Sequence, residues 1–208
     1  MSLEEKKKEL IKTEWDLFQR VQNEGGRASC QEDPETFFLM RRSQFTAWPE
    51  ELLESWHRDL REAESAGRNL LAEKYAWMMR STAPERFQEM RRFLHFPTLF
   101  GEQLIEELVK QQLEWMEEYK ERYPYLAAGN RVFYTSQDTP WSTSFETYLR
   151  GELYTYSERT LCLYRDLMRK LKDEGKNRAL LVMETMVKSY GYAGLDAAEE
   201  KERKRMGN

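Results

Sequence analysis

The feature that most constrains the fold is helical periodicity, which runs through almost the whole chain. Apolar side chains recur three and four residues apart, as Leu53, Trp56, Leu60 and Ala63 do. No stretch alternates apolar and polar residues for long enough to predict a strand. The pattern therefore predicts an all-α protein of about nine helices.

Glycine, proline and capping residues set the limits of the predicted helices. The predicted helices cover residues 3–22, 34–47, 49–67, 68–80, 82–94, 101–122, 143–154, 157–174 and 176–190. We expect one helical domain over residues 1–196. The segment 124–142 is expected to be irregular, and the charged segment 197–208 is expected to be a frayed helix or a disordered tail.

Composition and residue spacing disfavour several classes of function. A net charge of −4, with basic and acidic residues interleaved, disfavours nucleic acid, because binding phosphates needs a basic face. No apolar run approaches the roughly 18 residues of a membrane span, so no membrane contact and a cytoplasmic location are expected. No metal site is predicted, since the Glu54-x-x-His57 spacing has no second copy. The aromatic content of 13% indicates either large core side chains or a flat apolar ligand pocket.

The chain matches itself at an offset of 108 residues, which predicts an internal duplication. Helix stops and aromatic positions match together. The identical pairs include Phe37/Phe145, Arg42/Arg150, Gly67/Gly175, Asn69/Asn177 and Met78/Met186. Two helix-loop-three-helix halves, residues 8–82 and 101–191, are therefore expected around a pseudo-two-fold axis, with a polar loop of each half flanking one shared cleft.

Both polar loops carry groups suited to a small polar or anionic ligand. In the loop 22–33, two adjacent glycines let backbone amides converge on an anion, and Arg27 adds a planar fork of donors. The loop 129–140 is its apparent copy. The predicted ligand-binding residues of the two loops are Arg27, Ser29, Gln31, Arg131, Ser136, Gln137 and Asp138. The alternative is a helix C-cap followed by an N-cap at Asp33, with Arg27 tying the loop to a neighbouring carboxylate.

A second polar layer is expected beneath the loops. Its predicted members are Arg42, Gln44, Arg150 and Glu152. The alternative is that this region serves packing only, because the small residues Ser43 and Gly151 permit two helices to approach closely.

The candidates for catalysis are one cysteine and three carboxylates. Cys30 could be a nucleophile activated by Arg27 and by the helix that begins at Pro34, but no general base accompanies it, so a spectator cysteine is the alternative. Glu24, Asp138 and Glu152 are the candidate proton carriers.

Three strings resemble a bacterial family that is catalogued only as a domain of unknown function. They are residues 22–31, 40–45 and 143–153, and the resemblance extends over residues 9–198. It implies a bacterial, cytoplasmic, single-module protein. It implies no activity, cofactor or catalytic residue, so the cofactor is left unknown.

The expected function is binding of a small polar or anionic molecule between the two polar loops, with the question of catalysis left open. The alternative is a non-catalytic module that uses aromatic and methionine-rich helix faces to hold a protein partner or a second copy of itself as a homodimer.

Overall fold

The computed structural model describes residues 1–22 and 26–207, and these residues form an all-α fold, as predicted. Their eleven helices are α1 (Leu3–Gln19), α2 (Pro34–Gln44), α3 (Glu50–Ser65), α4 (Leu70–Thr82), α5 (Pro84–Met90), α6 (Leu99–Arg122), α7 (Pro124–Ala128), α8 (Phe145–Leu153), α9 (Glu158–Asp173), α10 (Arg178–Ser189) and α11 (Leu195–Met206). Short 3₁₀ helices occur at Ser29–Gln31, Arg91–Phe93 and Thr135–Gln137. Within the described ranges, none of the helices is both long enough and apolar enough to cross a membrane.

The prediction of nine helices was too low by two, because α7 and α11 depend on each other. Leu195 and Ala198 of α11 are buried in a small second core. The Glu199 carboxylate accepts hydrogen bonds from the backbone amides of Tyr125 and Leu126, at 2.9 and 2.8 Å, and so caps the start of α7. The charged C-terminal segment, expected as a frayed helix or disordered tail, is therefore a docked helix in the structure.

Local capping signals explain where the other helices begin and end. Asp33 accepts a hydrogen bond from the amide of Thr36 at 3.0 Å, and Asn69 and Asn177 cap α4 and α10 in the same way. Gly67 and Gly175 follow α3 and α9 with φ of +74° and +64°. In both places the backbone amide of the residue after the glycine donates a hydrogen bond of 2.8 Å to the carbonyl five residues earlier. A residue with a Cβ would be strained at the glycine position in this conformation.

The main core joins helices from both ends of the chain. Its fully buried members include Leu10, Leu60, Ile105 and Leu161, from α1, α3, α6 and α9. The packed pairs are α1 with α3, α6 with α9, α3 with α9, α4 with α8, and α2 with α10. The last two pairs bring early and late helices together around one interior space. The internal duplication itself stays a prediction.

Candidate functional site

A cavity of about 780 Å³ lies between α2, α4, α6, α8 and α10. That volume suits a small-molecule site, and the walls are mainly apolar with a few polar groups, as such sites usually are. The apolar wall includes Phe37, Met40, Met78, Trp115, Phe145, Leu149, Val182 and Met186.

The two polar loops contribute to the same cavity. Cys30 and Asp33 line it from the first loop, and Gly129, Asn130 and Arg131 line it from the second. Residues of both loops therefore line one cavity. Its ligand-binding role stays a prediction.

A buried ion-pair network reaches the cavity through Arg41 and Glu152. The Arg41 guanidinium donates to Glu14 from Nε and Nη2, at 2.7 and 2.6 Å, and from Nη1 to Glu152 at 3.1 Å. Lys74 Nζ donates to the other Glu152 oxygen at 2.6 Å. The indole Nε1 of Trp56 donates to Glu14 at 2.7 Å. Two cations therefore offset two carboxylates, and every charge in the network has a partner.

The network holds Glu152 in its ionised form. Burial alone would raise the pKa of Glu152, but the positive charges of Arg41 and Lys74 outweigh it and hold that pKa far below its usual range. Burial likewise opposes the charge of Arg41, yet Glu14 and Glu152 raise the Arg41 pKa well above its ordinary value. A carboxyl held so firmly as an anion is a weak proton acceptor near neutral pH. Glu152 therefore fits an ion-pair role better than the proton-carrier role expected from the sequence.

A glycine allows α8 to bring Glu152 close to Lys74. A Cβ on Gly151 would lie 2.9 Å from the Lys74 carbonyl oxygen and 2.8 Å from Met78 Cγ. Such contacts are too short for any residue with a side chain. The close helix approach expected at Gly151 is therefore present, and it positions a charged group rather than serving packing alone.

On α2 the arginine that lines the cavity is Arg41, one residue before the predicted Arg42. Arg42, the predicted ligand-binding residue, is exposed, whereas Arg41 is 7% exposed and lines the cavity. Adjacent residues of a helix point about 100° apart, so a shift of one position moves a side chain to another face. The signal was available, because Arg41 lies on the same helix face as Phe37, Phe38 and Phe45.

Three buried donors on the cavity wall have no hydrogen-bond partner among the described residues. They are Trp48 Nε1, Gln112 Nε2 and Arg178 Nε. The Gln112 amide orientation is fixed, because its Oε1 accepts from Arg178 Nη1 at 3.0 Å and from the Tyr164 hydroxyl at 3.2 Å. Buried polar groups are nearly always paired, so three unpaired donors among the residues of one cavity are unusual.

Two cations lie against the ring of Tyr148, which lines the cavity together with Tyr75. Lys74 Nζ lies 3.7 Å and Arg131 Cζ lies 4.8 Å from the centroid of the Tyr148 ring. The Lys74 charge lowers the pKa of Tyr148. Burial, followed by the interaction with Tyr148, raises the pKa of Tyr75. The sequence analysis missed both tyrosines, although Tyr148 and Glu152 are four residues apart and share one helix face.

The chain matches a protein family over nearly its whole length. Residues 4–200 match the model of a family described as "Protein of unknown function (DUF4125)". The chain belongs to the DUF4125 family. No curated protein and no solved structure matches it. The match confirms the expected resemblance and assigns no activity, so the function has to be argued from the site.

In this DUF4125 chain, two predicted ligand-binding residues, Gln31 and Arg27, hold the first polar loop in place through hydrogen bonds. The Gln31 side chain is buried, donates to the carbonyls of Phe18 and Val21 at 2.9 and 3.0 Å, and accepts from the Ala28 amide at 2.9 Å. Arg27 is exposed and donates to the Gln31 carbonyl at 3.3 Å and to the Gln19 side chain. Arg27 thus ties the loop to α1, as the alternative interpretation expected, although through an amide rather than a carboxylate.

The second loop of the DUF4125 domain shows the same use of polar groups. Asp138 accepts from the Ser144 amide at 2.6 Å and from the hydroxyls of Ser81 and Thr147 at 2.5 Å each. These donors lower the pKa of Asp138 against the effect of burial. Gln137 Oε1 accepts from the Tyr134 amide at 3.1 Å. Both side chains support the loop.

The remaining predicted residues divide between the cavity and the surface. Those that line the cavity are Cys30, Gln44, Arg131 and Glu152. Ser29 and Ser136 are exposed, and Arg150 pairs with Glu106 and Glu146 beside α6. Glu24 lies outside the described residues. No cluster of three His, Cys, Asp or Glu side chains with metal-binding geometry occurs in the part of the chain that the structure describes.

Proposed function

We propose that the protein binds a small carboxylate with an apolar body in the cavity between α2, α4, α6, α8 and α10. The unpaired donors Trp48 Nε1, Gln112 Nε2 and Arg178 Nε carry this proposal. Each can only donate, and Arg178 adds a positive charge, so the complementary ligand has clustered acceptor atoms and a negative charge.

The cost of the unpaired donors favours a bound ligand over an empty cavity. Leaving a buried donor unpaired costs about 1–3 kcal/mol, and three such donors belong to residues that line one cavity. The ion-pair network has no charge left to pair, so the ligand's carboxylate meets the three donors rather than Arg41. The aromatic and methionine side chains of the wall suit a flat apolar body.

Internal duplication is the proposed origin of the cavity. At the offset of 108 residues, the sequence of α3 aligns with that of α9, since Glu50–Ser65 corresponds to Glu158–Asp173. In each loop a glutamine accepts a hydrogen bond from the amide three residues before it, Gln31 from Ala28 and Gln137 from Tyr134. The packing of α4 on α8 and of α10 on α2 supports the same interpretation.

The proposed setting is the bacterial cytoplasm. The family resemblance implies it, and the two cysteines are compatible with a reducing compartment because both are free thiols.

Thermal denaturation with added ligand tests the binding proposal. Phenylpyruvate and 3-phenylpropionate are the probes, and 3-phenylpropanol is the neutral control. Both carboxylates are expected to raise the melting temperature, because a ligand that binds only the folded state stabilises it by RT ln(1 + [L]/Kd). Trp48→Phe removes one donor and keeps most of the ring, so it should reduce the shift. Trp141→Phe is the matched control, since Trp141 is 96% exposed. Equal shifts for the acids and the alcohol, or for Trp48→Phe and the parent protein, would contradict the proposal.

A second candidate function rests on an exposed apolar surface between α5 and α6. Phe93, Phe96, Leu99 and Phe100 are 70%, 51%, 74% and 47% exposed. Clustered exposed apolar side chains often mark a protein contact, and here they favour the self-associating module considered from the sequence. Size-exclusion chromatography with light scattering tests it. A concentration-dependent dimer that Phe93→Ser and Leu99→Ser abolish would support it, and a monomer at all concentrations would refute self-association.

A further inference from the structure

Tyr148 has a setting that stabilises a phenolate. Its half-buried ring belongs to α8 and lines the cavity. Lys74 Nζ is 3.7 Å and Arg131 Cζ is 4.8 Å from the ring centroid, so two positive charges face one phenol. Nearby cations favour the ionised form of an acidic group.

The charged groups around Tyr148 come from several packed elements. Lys74 extends from α4, Arg41 from α2 and Arg131 from the second loop, while Glu152 extends from α8 itself. The Glu152 carboxylate opposes ionisation of Tyr148, but it is bonded to Arg41 and Lys74. The net effect, led by Lys74, lowers the Tyr148 pKa below its ordinary value of 10.

Tyr75 completes the group on the α4 side. Burial and the adjacent Tyr148 raise the pKa of Tyr75, so Tyr75 stays protonated when Tyr148 ionises. The Cys30 thiol also lies within electrostatic range of Tyr75 and lines the same cavity. Tyr148 is therefore the phenol of this pair that ionises first, and it does so at a cavity wall that a ligand can contact.

We propose that Tyr148 is the acid–base residue of the cavity and interconverts the keto and enol forms of a bound 2-oxo carboxylate with an apolar body. This inference rests on the binding function proposed above, which supplies the carboxylate site. Lys74 and Arg131 act as positioning residues that stabilise the phenolate.

The proposed step balances without any further reactant. The Tyr148 phenolate oxygen takes a proton from the carbon next to the ligand's carbonyl group. The C–H electron pair forms a C=C bond, and the carbonyl π pair moves to the oxygen, which then takes a proton from the Tyr148 phenol or from water. The carbonyl group is needed because a phenolate removes a carbon-bound proton efficiently only where the neighbouring group stabilises the resulting anion.

Titration of tyrosine absorbance in the near ultraviolet tests the phenolate directly and needs no ligand. The parent protein should show a tyrosinate step below the ordinary pKa of about 10, and Tyr148→Phe should lack it. Tyr190→Phe is the matched control, since Tyr190 is 56% exposed. Lys74→Met should move the step to higher pH by about one unit or more, and Lys74→Arg, which keeps the charge, should restore it. Persistence of the lowest step in Tyr148→Phe would overturn the assignment.

Exchange of the phenylpyruvate methylene protons in D₂O, followed by proton NMR, tests the chemistry. The parent protein should accelerate exchange, with a pH midpoint that matches the spectroscopic step and moves with it in Lys74→Met. Tyr148→Phe should slow the exchange by about a hundredfold or more while still showing a thermal shift with 3-phenylpropionate, and Tyr190→Phe should match the parent protein.

The outcomes separate the two proposals. Thermal stabilisation by both carboxylates without accelerated exchange would overturn the acid–base role and leave the binding function standing. Accelerated exchange that survives in Tyr148→Phe would also overturn the role of Tyr148. Absence of any carboxylate-dependent stabilisation would overturn the binding function and this inference with it.

Discussion

Replacement of Arg41 by methionine should destabilise the protein strongly. Arg41 is 7% exposed and Glu14 is fully buried. In Arg41→Met, among the described residues, Glu14 keeps only the Trp56 indole as a charge-stabilising donor, and Glu152 keeps only Lys74 as a cation partner. Removing one partner of a buried ion pair costs about 3–5 kcal/mol. At about 2–4 °C per kcal/mol for a domain of this size, the melting temperature should fall by about 6–20 °C.

Urea denaturation followed by tryptophan fluorescence measures this loss, and the adjacent arginine provides the control. Arg42→Met changes the same residue type on the same helix but at an exposed position. Its free energy of unfolding should stay within about 0.5 kcal/mol of the parent protein. The comparison removes any contribution from helix propensity, because both changes exchange arginine for methionine in α2.

A double variant separates an unpaired charge from a loss of packing. Glu14→Gln combined with Arg41→Met removes both charges, so it should recover a large part of the stability lost in Arg41→Met alone. The reasoning would be refuted if Arg41→Met cost less than about 1 kcal/mol, the size of an ordinary surface contact. It would also be refuted if the double variant were as unstable as the sum of the two single variants.

Three further predictions concern packing, pH and the C-terminal helix. Gly151→Ala should cost about 1–3 kcal/mol in urea denaturation, because the new Cβ would meet the Lys74 carbonyl at 2.9 Å, whereas Gly129→Ala, with its nearest contact at 3.5 Å, should cost much less. Because the pKa of Glu152 is depressed in the folded protein, the ionised carboxylate should make a constant contribution to stability above pH 4.5, the ordinary pKa of a glutamate. As the pH falls below 4.5, this contribution should decrease, since only the unfolded chain then takes up the proton. Urea denaturation across this pH range should therefore show a steeper acid loss in the parent protein than in Glu152→Gln. Leu195→Asp, which puts a charge in the small second core, should speed amide hydrogen exchange throughout α11.

The helix boundaries that could be predicted from the sequence are those set by residues close to one another along the chain. Asn69 and Gly67 mark a helix boundary through hydrogen bonds that reach only a few residues along the chain, so their residue types suffice to place it. Helix α11 differs, because the burial of Leu195 and the capping by Glu199 involve α7, about 70 residues earlier. A charged segment with few apolar residues gives no local sign of such a partner.

Part of the site could also be predicted, but not the roles of its polar residues. The sequence indicated two polar loops near one cleft, and Cys30 and Arg131 do line one cavity. It also predicted that Gln31 and Asp138 bind ligand, whereas Gln31 bonds backbone groups of α1 and of its own loop, and Asp138 bonds the Ser144 amide and two hydroxyls. An amide or carboxylate that supports a loop has the same residue type as one that binds a ligand, and only the tertiary partners distinguish them.

Two polar layers border the cavity, and the difference between them bears on recognition. In the ion-pair layer, Arg41 and Lys74 are each matched by carboxylates, so a ligand anion there would compete with contacts already formed. In the other layer, Trp48, Gln112 and Arg178 come from three separate parts of the chain and retain unpaired donors. None of the three belongs to a local motif, and each alone resembles an ordinary core residue. The proposed capacity to bind an anion would therefore arise only when tertiary packing brings these three residues to one cavity, which is why the most informative test of the proposal is the removal of a single donor with its ring left in place.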